Sequence, residues 1–305
     1  MNAAYLPLIP IALFGCILRS LLPQAEEIRL SLNKAVFYVF LPALVFRTVM
    51  ESPLDSLFLE VPLSASLTIL SMLLTSFLVF RYLPIPEETK GAMILAATFG
   101  NVTYLGLPIL QHIFPTHLPE IAEVVVLYEV TKSSLNLSLG AMVAIYFGSH
   151  ERITFGKTIG EALRLPPIWA LALALGWKTS GLPCPSFLLE STGMLASSVT
   201  AIMILSVGMA LRFRVSHLMI LLLPVAILKL IVSPYMAFRI SDLVGLHGLT
   251  DEALILEAAM PSQLLSFVIA GRFKLDEATL AFVILADTLL SLITLPLVTG
   301  LLPMV

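Results

Sequence analysis

Two apolar stretches of the sequence are interrupted by glycine, proline and polar residues in a pattern that could build a binding site. The first interruption reads GNVTYLGLP at residues 100–108, and the second reads EAAMPSQ at residues 257–263. Glycine and proline disturb helical geometry, so each interruption predicts a helix that stops and then resumes. A broken helix exposes backbone carbonyls at one end, which attract a cation, and N–H groups at the other, which attract an anion.

Polar side chains at the two interruptions would complete such a site. The candidates for binding a substrate or an ion are Gly100, Asn101, Thr103, Pro108, Pro261, Ser262 and Gln263. Pro108 would begin the resumed helix, because proline lacks an N–H group and fits the first helical turn. In the alternative interpretation, these side chains only satisfy the backbone groups that each break leaves unpaired.

Lys229 lies in the middle of an apolar stretch and is a further candidate for the site. A charge at the centre of a membrane helix costs about 2.5–3.5 kcal/mol on insertion scales, so something must compensate it. Three roles remain open from the sequence. Lys229 could form an ion pair with Asp287, which is equally isolated. It could face the broken helices, where its ammonium group would replace a bound sodium ion, or extend to the membrane interface.

Three further ionisable residues are candidates for ion coupling or ion pairing. Glu129 and Lys132 are three residues apart and would neutralise each other on one helix face, which favours a structural role. Glu257 precedes Pro261 by one turn and would either bind a cation or proton there or lie at the membrane surface. No metal-ligand spacing and no catalytic motif is found, so we predict no cofactor and no enzyme activity, with coupling to Na⁺ or H⁺ left open.

The composition sets the class of protein to which these residues belong. Of the 305 residues, 58% are apolar and 12% are charged, whereas soluble domains have about 25% charged residues. A net charge of −3 gives no basic surface for nucleic acid.

Since a spanning helix needs about 20 apolar residues, we predict ten spans: 4–22, 32–50, 60–81, 90–114, 120–148, 165–182, 187–211, 217–241, 252–271 and 278–302.

The positions of Lys and Arg predict how these helices are oriented. Alternate loops carry 12 basic residues on one side of the membrane and three on the other, which places both termini outside the cytoplasm and the loop at 149–164 inside. Dividing the chain at residue 150 gives five helices in 1–150 and five in 151–305. An odd number of helices in each half means that two similar halves would have opposite orientations.

The spacing of the interruptions agrees with this division. Pro108 and Pro261 are 153 residues apart, which is half the chain. Interrupted helices at corresponding places of two halves indicate the binding site of an inverted-repeat transporter. We therefore predict an all-α polytopic membrane protein of two inverted five-helix repeats, whose broken fourth and ninth helices cross.

Five segments of the sequence, in order along the chain, resemble the auxin efflux carrier family of membrane permeases in its short bacterial form. They are NKAVFYVFLPALVF at 33–46, GNVTYLGLP at 100–108, LKLIVSP at 228–234, AAMPSQLLSF at 258–267 and TLLSLITLP at 288–296. The resemblance implies the fold predicted above, with the broken helices crossing in mid-membrane. It also implies transport of organic anions, which are auxin in plants and dicarboxylates in bacteria.

The predicted function is therefore secondary transport of small organic anions, of which carboxylates are the expected class, by alternating access in the inner (cell) membrane. The expected partners are the anion and the lipid bilayer, and a homodimer is compatible with the sequence. Gln263 and Asp287 depart from the family pattern, so the resemblance fixes neither the substrate nor the coupling ion. A membrane receptor that binds the same ligands without transporting them is the alternative.

Overall fold

A computed structural model of the chain describes residues 8–51, 56–149, 166–210, 219–263 and 265–303. The regular elements in these ranges are all helical. They are α1 (Leu8–Leu21), α2 (Ala25–Glu51), α3 (Leu57–Arg81), α4a (Glu87–Thr98), α4b (102–113), α5 (118–149), α6 (Pro166–Thr179), α7 (Ser186–Ala210), α8 (Leu222–Val244), α9a (Leu249–Ala258), α9b (Leu265–Arg272) and α10 (Glu277–Leu301). The predicted loop at 149–164 and the boundary at residue 150 lie outside the described residues, apart from Ser149.

Five of the described helices are long and apolar enough to cross a membrane: α2, α3, the first 21 residues of α7, α8 and α10. Each piece of the broken helices is shorter than the roughly 20 residues that a span requires. The count of ten spans and the inverted repeat remain predictions. The second predicted span began at residue 32, whereas α2 begins at Ala25, because its first turns carry Glu26, Glu27 and Arg29 and a hydropathy pattern does not register a polar helical extension.

The described helices fall into two compact units, and each unit takes helices from both halves of the sequence. The first unit contains α1, α2, α4b, the start of α5, α6 and α7. Within it, α7 packs against α1 and α2, and α6 packs against α2. Basic side chains here bind carbonyls near helix ends: Arg19 donates to Met209 O (2.7 Å) and Lys178 to Val49 O (2.8 Å). Cations are favourable there because the C-terminal end of a helix is partly negative.

The second unit contains α3, α4a, most of α5, α8, α9a, α9b and α10. Its central helix is α4a, which is buried from Gly91 to Thr98 and packs against α3, α5 and α10. The neighbouring α8 packs against α3, α9a and α10. The end of α8 is set by Gly245, which takes the left-handed conformation (φ 85°) that glycine adopts at helix C-termini. The start of α10 is capped by the carboxylate of Asp276, which accepts the N–H of Thr279 at 3.0 Å.

Candidate functional site

The chain leaves helical geometry at both of the predicted interruptions. After α4a ends at Thr98, Phe99 is extended (φ −102°, ψ 118°) and α4b begins at Val102. After α9a ends at Ala258, residues 259–263 are not helical, and α9b begins at Leu265. Each break frees backbone groups that a continuous helix would pair, and these groups need partners when they are buried.

The two breaks supply partners for each other. The N–H of Asn101 donates to the carbonyl of Pro261 at 2.7 Å, and the N–H of Gln263 donates to the carbonyl of Phe99 at 3.1 Å. This pairing sets Gly100 opposite the second break in a short antiparallel bridge. We call this meeting of α4 and α9 the crossing. It lies within the second unit.

One side of the crossing is charged. Side chains alternate between the faces of an extended pair, so Gly100 and Ser262, which oppose each other, share a face. A Cβ atom on Gly100 would lie only 3.0 Å from the ammonium nitrogen of Lys229. The hydroxyl of Ser262 lies 2.7 Å from the carboxylate of Asp287. We call this side, with Lys229 and Asp287, the charged face.

The opposite side of the crossing carries two neutral amides. The same alternation places Asn101 and Gln263 together on this side as diagonal neighbours of the pair, a relation in which residues are about 7–8 Å apart and long side chains can still reach each other. Both side chains are buried. Among the residues that the structure describes, the Nε2 donor of Gln263 has no hydrogen-bond partner. We call this side the amide face.

Lys229 neutralises the carbonyl end of α9a. It lies in the π turn Leu228–Val232 of α8, which directly precedes the helix-disturbing Pro234. Its Nζ donates to the carbonyl of Ala258 at 2.8 Å and to the hydroxyl of Ser233 at 3.3 Å. With 2% of its surface exposed, Lys229 does not extend to the interface. Of the three roles left open by the sequence, the geometry agrees with the one in which the ammonium group faces the broken helices.

Asp287 on α10 satisfies an N–H group in the second break. Its Oδ2 accepts the backbone N–H of Ser262 at 2.8 Å and the hydroxyl of the same residue at 2.7 Å, and its exposure is 0%. Asp287 and Lys229 interact electrostatically. Among the described residues, however, no oxygen of Asp287 lies within the 4.0 Å of Lys229 Nζ that defines an ion pair. The direct ion pair considered for Lys229 is therefore wrong, because the carboxylate is engaged with backbone and hydroxyl groups of α9.

Glu129 and Lys132 form the neutral pair that their spacing predicts. Lys132 Nζ lies 2.8 Å from Glu129 Oε2. Both residues belong to α5, and both side chains are buried. The hydroxyl of Ser133 donates to the other oxygen of Glu129. Because the bonds form within one helix, this pair stabilises α5 itself.

Glu257 and Asn136 are fully buried polar residues of the same unit. Both have an exposure of 0%, so the side chain of Glu257 is enclosed by protein. Within the described ranges, neither carboxyl oxygen of Glu257 and neither amide atom of Asn136 has a hydrogen-bond partner. Glu257 interacts electrostatically with Glu129, Lys132 and Lys229. Buried polar groups are normally hydrogen-bonded, so these exceptions make both residues candidates for binding a proton, an ion or a water molecule.

The structure brings together most, but not all, of the candidates predicted from the sequence. Gly100, Asn101, Pro261, Ser262 and Gln263 form the crossing, with Lys229 and Asp287 on its charged face. Thr103 and Pro108 belong to the helix that follows the first break. They lie on the first turns of α4b, where both are buried, and they are counted in the first unit.

Sequence reasoning missed two hydroxyl groups of the second unit. Ser233 donates to the carbonyl of Ala258 at 2.8 Å and so shares the acceptor of Lys229. Its position four residues after Lys229 places both on one helix face, which was an available signal. Ser76 on α3 hydrogen-bonds with Thr98 at the end of α4a, at 2.9 Å. Nothing in its local sequence distinguishes it from Ser64 and Ser71 on the same helix.

Comparisons with known proteins agree with a membrane transport role. The family model described as membrane transport protein matches residues 4–148 and 151–299. The chain is 27% identical over 292 residues to an uncharacterized transporter of Methanocaldococcus jannaschii, with 89% of each chain covered. It is 28% identical over 295 residues to an uncharacterized transporter of Methanothermobacter thermautotrophicus, with 96% of this chain and 95% of that protein covered.

Proposed function

This chain belongs to the family of membrane transport proteins, and we propose that it is a secondary transporter that moves small organic anions through the crossing of α4 and α9. The family and both relatives are membrane transporters and not enzymes. With its apolar helices, the chain is a multi-pass membrane protein. Within this framework, the proposed substrates are carboxylates and the proposed mechanism is alternating access.

The observation that carries this proposal is the unpaired amide donor of Gln263 at the crossing. A carboxylate can only accept hydrogen bonds, and buried amide N–H groups are suitable donors to it. The carbonyl of Ala258 already has Lys229 as its partner, and the N–H of Ser262 has Asp287. The amide face, with Asn101 and Gln263, is therefore the side of the crossing on which an anion would find donors, while Lys229 supplies positive charge nearby.

The proposal includes the arrangement in the membrane predicted from the sequence. Ten spans in two inverted repeats would place the crossing at mid-depth, with both termini outside the cytoplasm. The excess of 12 basic residues over three on alternate loops supports this orientation. Irregular backbone at such a depth is tolerated where it is buried in protein or lines a water-filled cavity, and the buried, mutually paired breaks agree with that condition.

The proposal is tested first on the unmodified protein. A panel of mono- and dicarboxylates is screened for ligands that raise the thermal unfolding midpoint in detergent. Each stabilising anion is then tested for counterflow into proteoliposomes that are preloaded with the same unlabelled anion. We expect at least one carboxylate to bind and to exchange. A carboxylate that binds without exchange would favour the receptor alternative, and a panel without any ligand would contradict the proposal.

The place of binding is tested with a substitution of nearly equal shape. Gln263→Glu removes the N–H donors and adds a charge that repels an anion, while Gln24→Glu makes the same change at an exposed position in the turn before α2. A hydrogen bond to a charged group contributes about 1.5–3 kcal/mol, so we expect Gln263→Glu to weaken anion binding by roughly 10- to 100-fold. The Gln24→Glu protein should bind as the wild type does. Equal affinities in both variants would place the anion elsewhere.

A further inference from the structure

The carboxyl group of Glu257 occupies a position that an isolated ionised carboxylate could not tolerate. It lies in the last turn of α9a, shielded from solvent. In the part of the chain that the structure describes, neither of its oxygens accepts a hydrogen bond. Burying a charge is costly unless it is both paired and hydrogen-bonded. This carboxyl group must therefore be protonated, or it must bind a cation.

The groups around Glu257 come from several helices. The charged and titratable residues that interact with it are Tyr128, Glu129 and Lys132 on α5 and Lys229 on α8. Asp287 on α10 interacts with Lys229 in turn, and Glu252 lies five residues earlier on α9a. Helix α3, which also packs against α9a, carries its charged residues only at its ends. The environment of Glu257 is therefore set by α5, α8 and α10.

The interacting charges in this group do not balance. Three buried carboxyl groups, those of Glu129, Glu257 and Asp287, interact with only two ammonium groups, those of Lys132 and Lys229. Lys132 is bonded to Glu129, and Lys229 interacts most strongly with Asp287, whose Oδ2 also accepts the N–H of Ser262. Glu257 is the carboxyl group left over. One additional positive charge would make the group neutral.

We propose that Glu257 binds the proton that couples anion movement to the transmembrane proton gradient, an inference that rests on the proposed transport function. A proton needs a single oxygen, whereas a metal cation needs several oxygen ligands. The other two carboxyl groups of this set are already engaged, that of Glu129 with Lys132 and that of Asp287 with Ser262, so Glu257 offers only its own oxygens. On one side of the membrane the Glu257 carboxylate takes a proton from a hydronium ion, so that one O–H bond forms, one breaks and a water molecule is left. On the other side the carboxylic acid returns the proton to water, which becomes hydronium.

The charge on Glu257 also determines how proton and anion are coupled. An ionised Glu257 repels an anion bound at the crossing, and protonation removes this repulsion. Proton and anion therefore bind together, and each raises the affinity for the other by the same factor. The coupling is symport: a liposome whose lumen is more alkaline than the outside solution accumulates the anion.

Transport measurements with Glu257→Gln test this coupling, because glutamine copies the shape of a protonated glutamic acid without the titration. We expect this variant to retain anion counterflow, which needs no net proton movement, and to lose accumulation driven by a pH gradient. Glu190→Gln, an exposed site on α7, should retain both activities. Normal gradient-driven accumulation by Glu257→Gln would overturn the proposal. Accumulation that requires Na⁺ and persists without a pH gradient would mean that the coupling ion is sodium and not the proton.

A spectroscopic measurement separates this inference from the transport function on which it rests. Infrared spectra at neutral pH should contain the C=O band of a protonated buried carboxylic acid in wild-type protein, and Glu257→Gln should lack it. This result is independent of whether any anion is exchanged. A wild-type protein without this band would overturn the proton site, whereas the absence of counterflow in wild type contradicts the proposed function. Should the variant not fold, wild-type protein decides: at an alkaline pH at which the band is lost, adding the anion should restore the band with uptake of a proton, and no uptake at such a pH would also overturn the site.

Discussion

The breaks in α4 and α9 face similar chemical problems, but they solve them with different residues. In α9, charged side chains satisfy the freed backbone groups: Lys229 binds the carbonyl of Ala258, and Asp287 binds the N–H of Ser262. In α4, the hydroxyl groups of Ser76 and Thr98 hydrogen-bond with each other, and the backbone of α9 provides the other partners. The charges near the crossing therefore hold α9 in its broken form, and a ligand would be recognised mainly by neutral amides.

The difference extends to the helices on either side of each break. Lys229 on α8 precedes its acceptor by 29 residues, and Ser76 on α3 precedes Thr98 by 22. After the breaks, α10 contributes Asp287, whereas α5 carries the neutral Asn136. A Cβ atom on Gly140, one turn after Asn136, would lie 3.1 Å from the ring of Phe99, which places this part of α5 against the first break. If the sequence halves are inverted repeats, neutral residues of the first half take the positions that charged residues take in the second.

Replacing Lys229 should have the largest effect, because it removes a charge on which the second break depends. In Lys229→Met, the carbonyl of Ala258 loses its cation and Asp287 remains buried without positive charge nearby. Removing one partner of buried charges costs about 3–5 kcal/mol, so we expect a loss of this size in the free energy of unfolding and no anion uptake. Lys34→Met, at an exposed position of α2, is the control and should change neither quantity.

A double variant shows whether Lys229 and Asp287 act as a simple pair. Because Asp287 binds Ser262 rather than Lys229 directly, adding Asp287→Ala to Lys229→Met should not restore stability or uptake. Denaturant titration in detergent and uptake into proteoliposomes provide the measurements. Recovery of stability and uptake in the double variant would mean that the two residues form an ion pair. In that case Lys229 and Asp287 would not stabilise the two ends of the second break independently.

A methyl group added between the breaks should have the next largest effect. In Gly100→Ala, the new Cβ atom would lie 3.0 Å from Lys229 Nζ and 3.2 Å from the carbonyl oxygen of Met260. Overpacking of this kind costs about 1–3 kcal/mol, and the displaced ammonium group should also reduce transport. Gly176→Ala on α6 is the matched control, since no atom lies within 4 Å of its added Cβ. Equal unfolding midpoints for both variants would show that the breaks are not closely packed.

Two serine substitutions compare the breaks directly. Ser233→Ala removes a hydroxyl that contacts both Lys229 and the carbonyl of Ala258, whereas Ser76→Ala removes only neutral bonds, to Thr98 and to the carbonyl of Met72 on the same helix. A hydrogen bond to a charged group contributes about 1.5–3 kcal/mol and a neutral one about 1 kcal/mol. Ser233→Ala should therefore lower the free energy of unfolding more. A larger loss of unfolding free energy in Ser76→Ala than in Ser233→Ala would mean that the first break depends more on its hydroxyl group than the second break does.

Replacing Asn136 should have the smallest effect on stability. Its amide atoms have no partners among the described residues, so Asn136→Leu breaks no hydrogen bond and should change the free energy of unfolding by at most about 1 kcal/mol. Asn33→Leu on α2 is the control, because Asn33 accepts a hydrogen bond from Ser206 and its loss should destabilise the protein. A greater loss for Asn136→Leu than for Asn33→Leu would mean that the first break depends on this amide.

The sequence predicts the breaks well because their causes are local. Glycine, proline and polar residues within an apolar stretch disturb a helix wherever it packs, so residues 100–108 and 257–263 could be identified directly. The hydrogen-bond partner of Lys229 could not be identified from the sequence, because this contact depends on how α8 packs against α9a. The location of Glu257 could not be decided from the sequence for a similar reason. It follows Asp251 and Glu252 by less than two turns, and only packing distinguishes a buried position from one at the membrane surface.

The proposal that an anion binds on the amide face is tested most directly by observing the amide of Gln263 itself. The chain has three glutamines, Gln24, Gln111 and Gln263, so selective ¹⁵N labelling gives three side-chain amide signals in an NMR spectrum, which single substitutions assign. Titration with a carboxylate that shows counterflow should shift the Gln263 signal most and leave that of the exposed Gln24 in place. If the Gln263 signal does not move at saturating anion, the crossing does not bind the transported anion through its amide face.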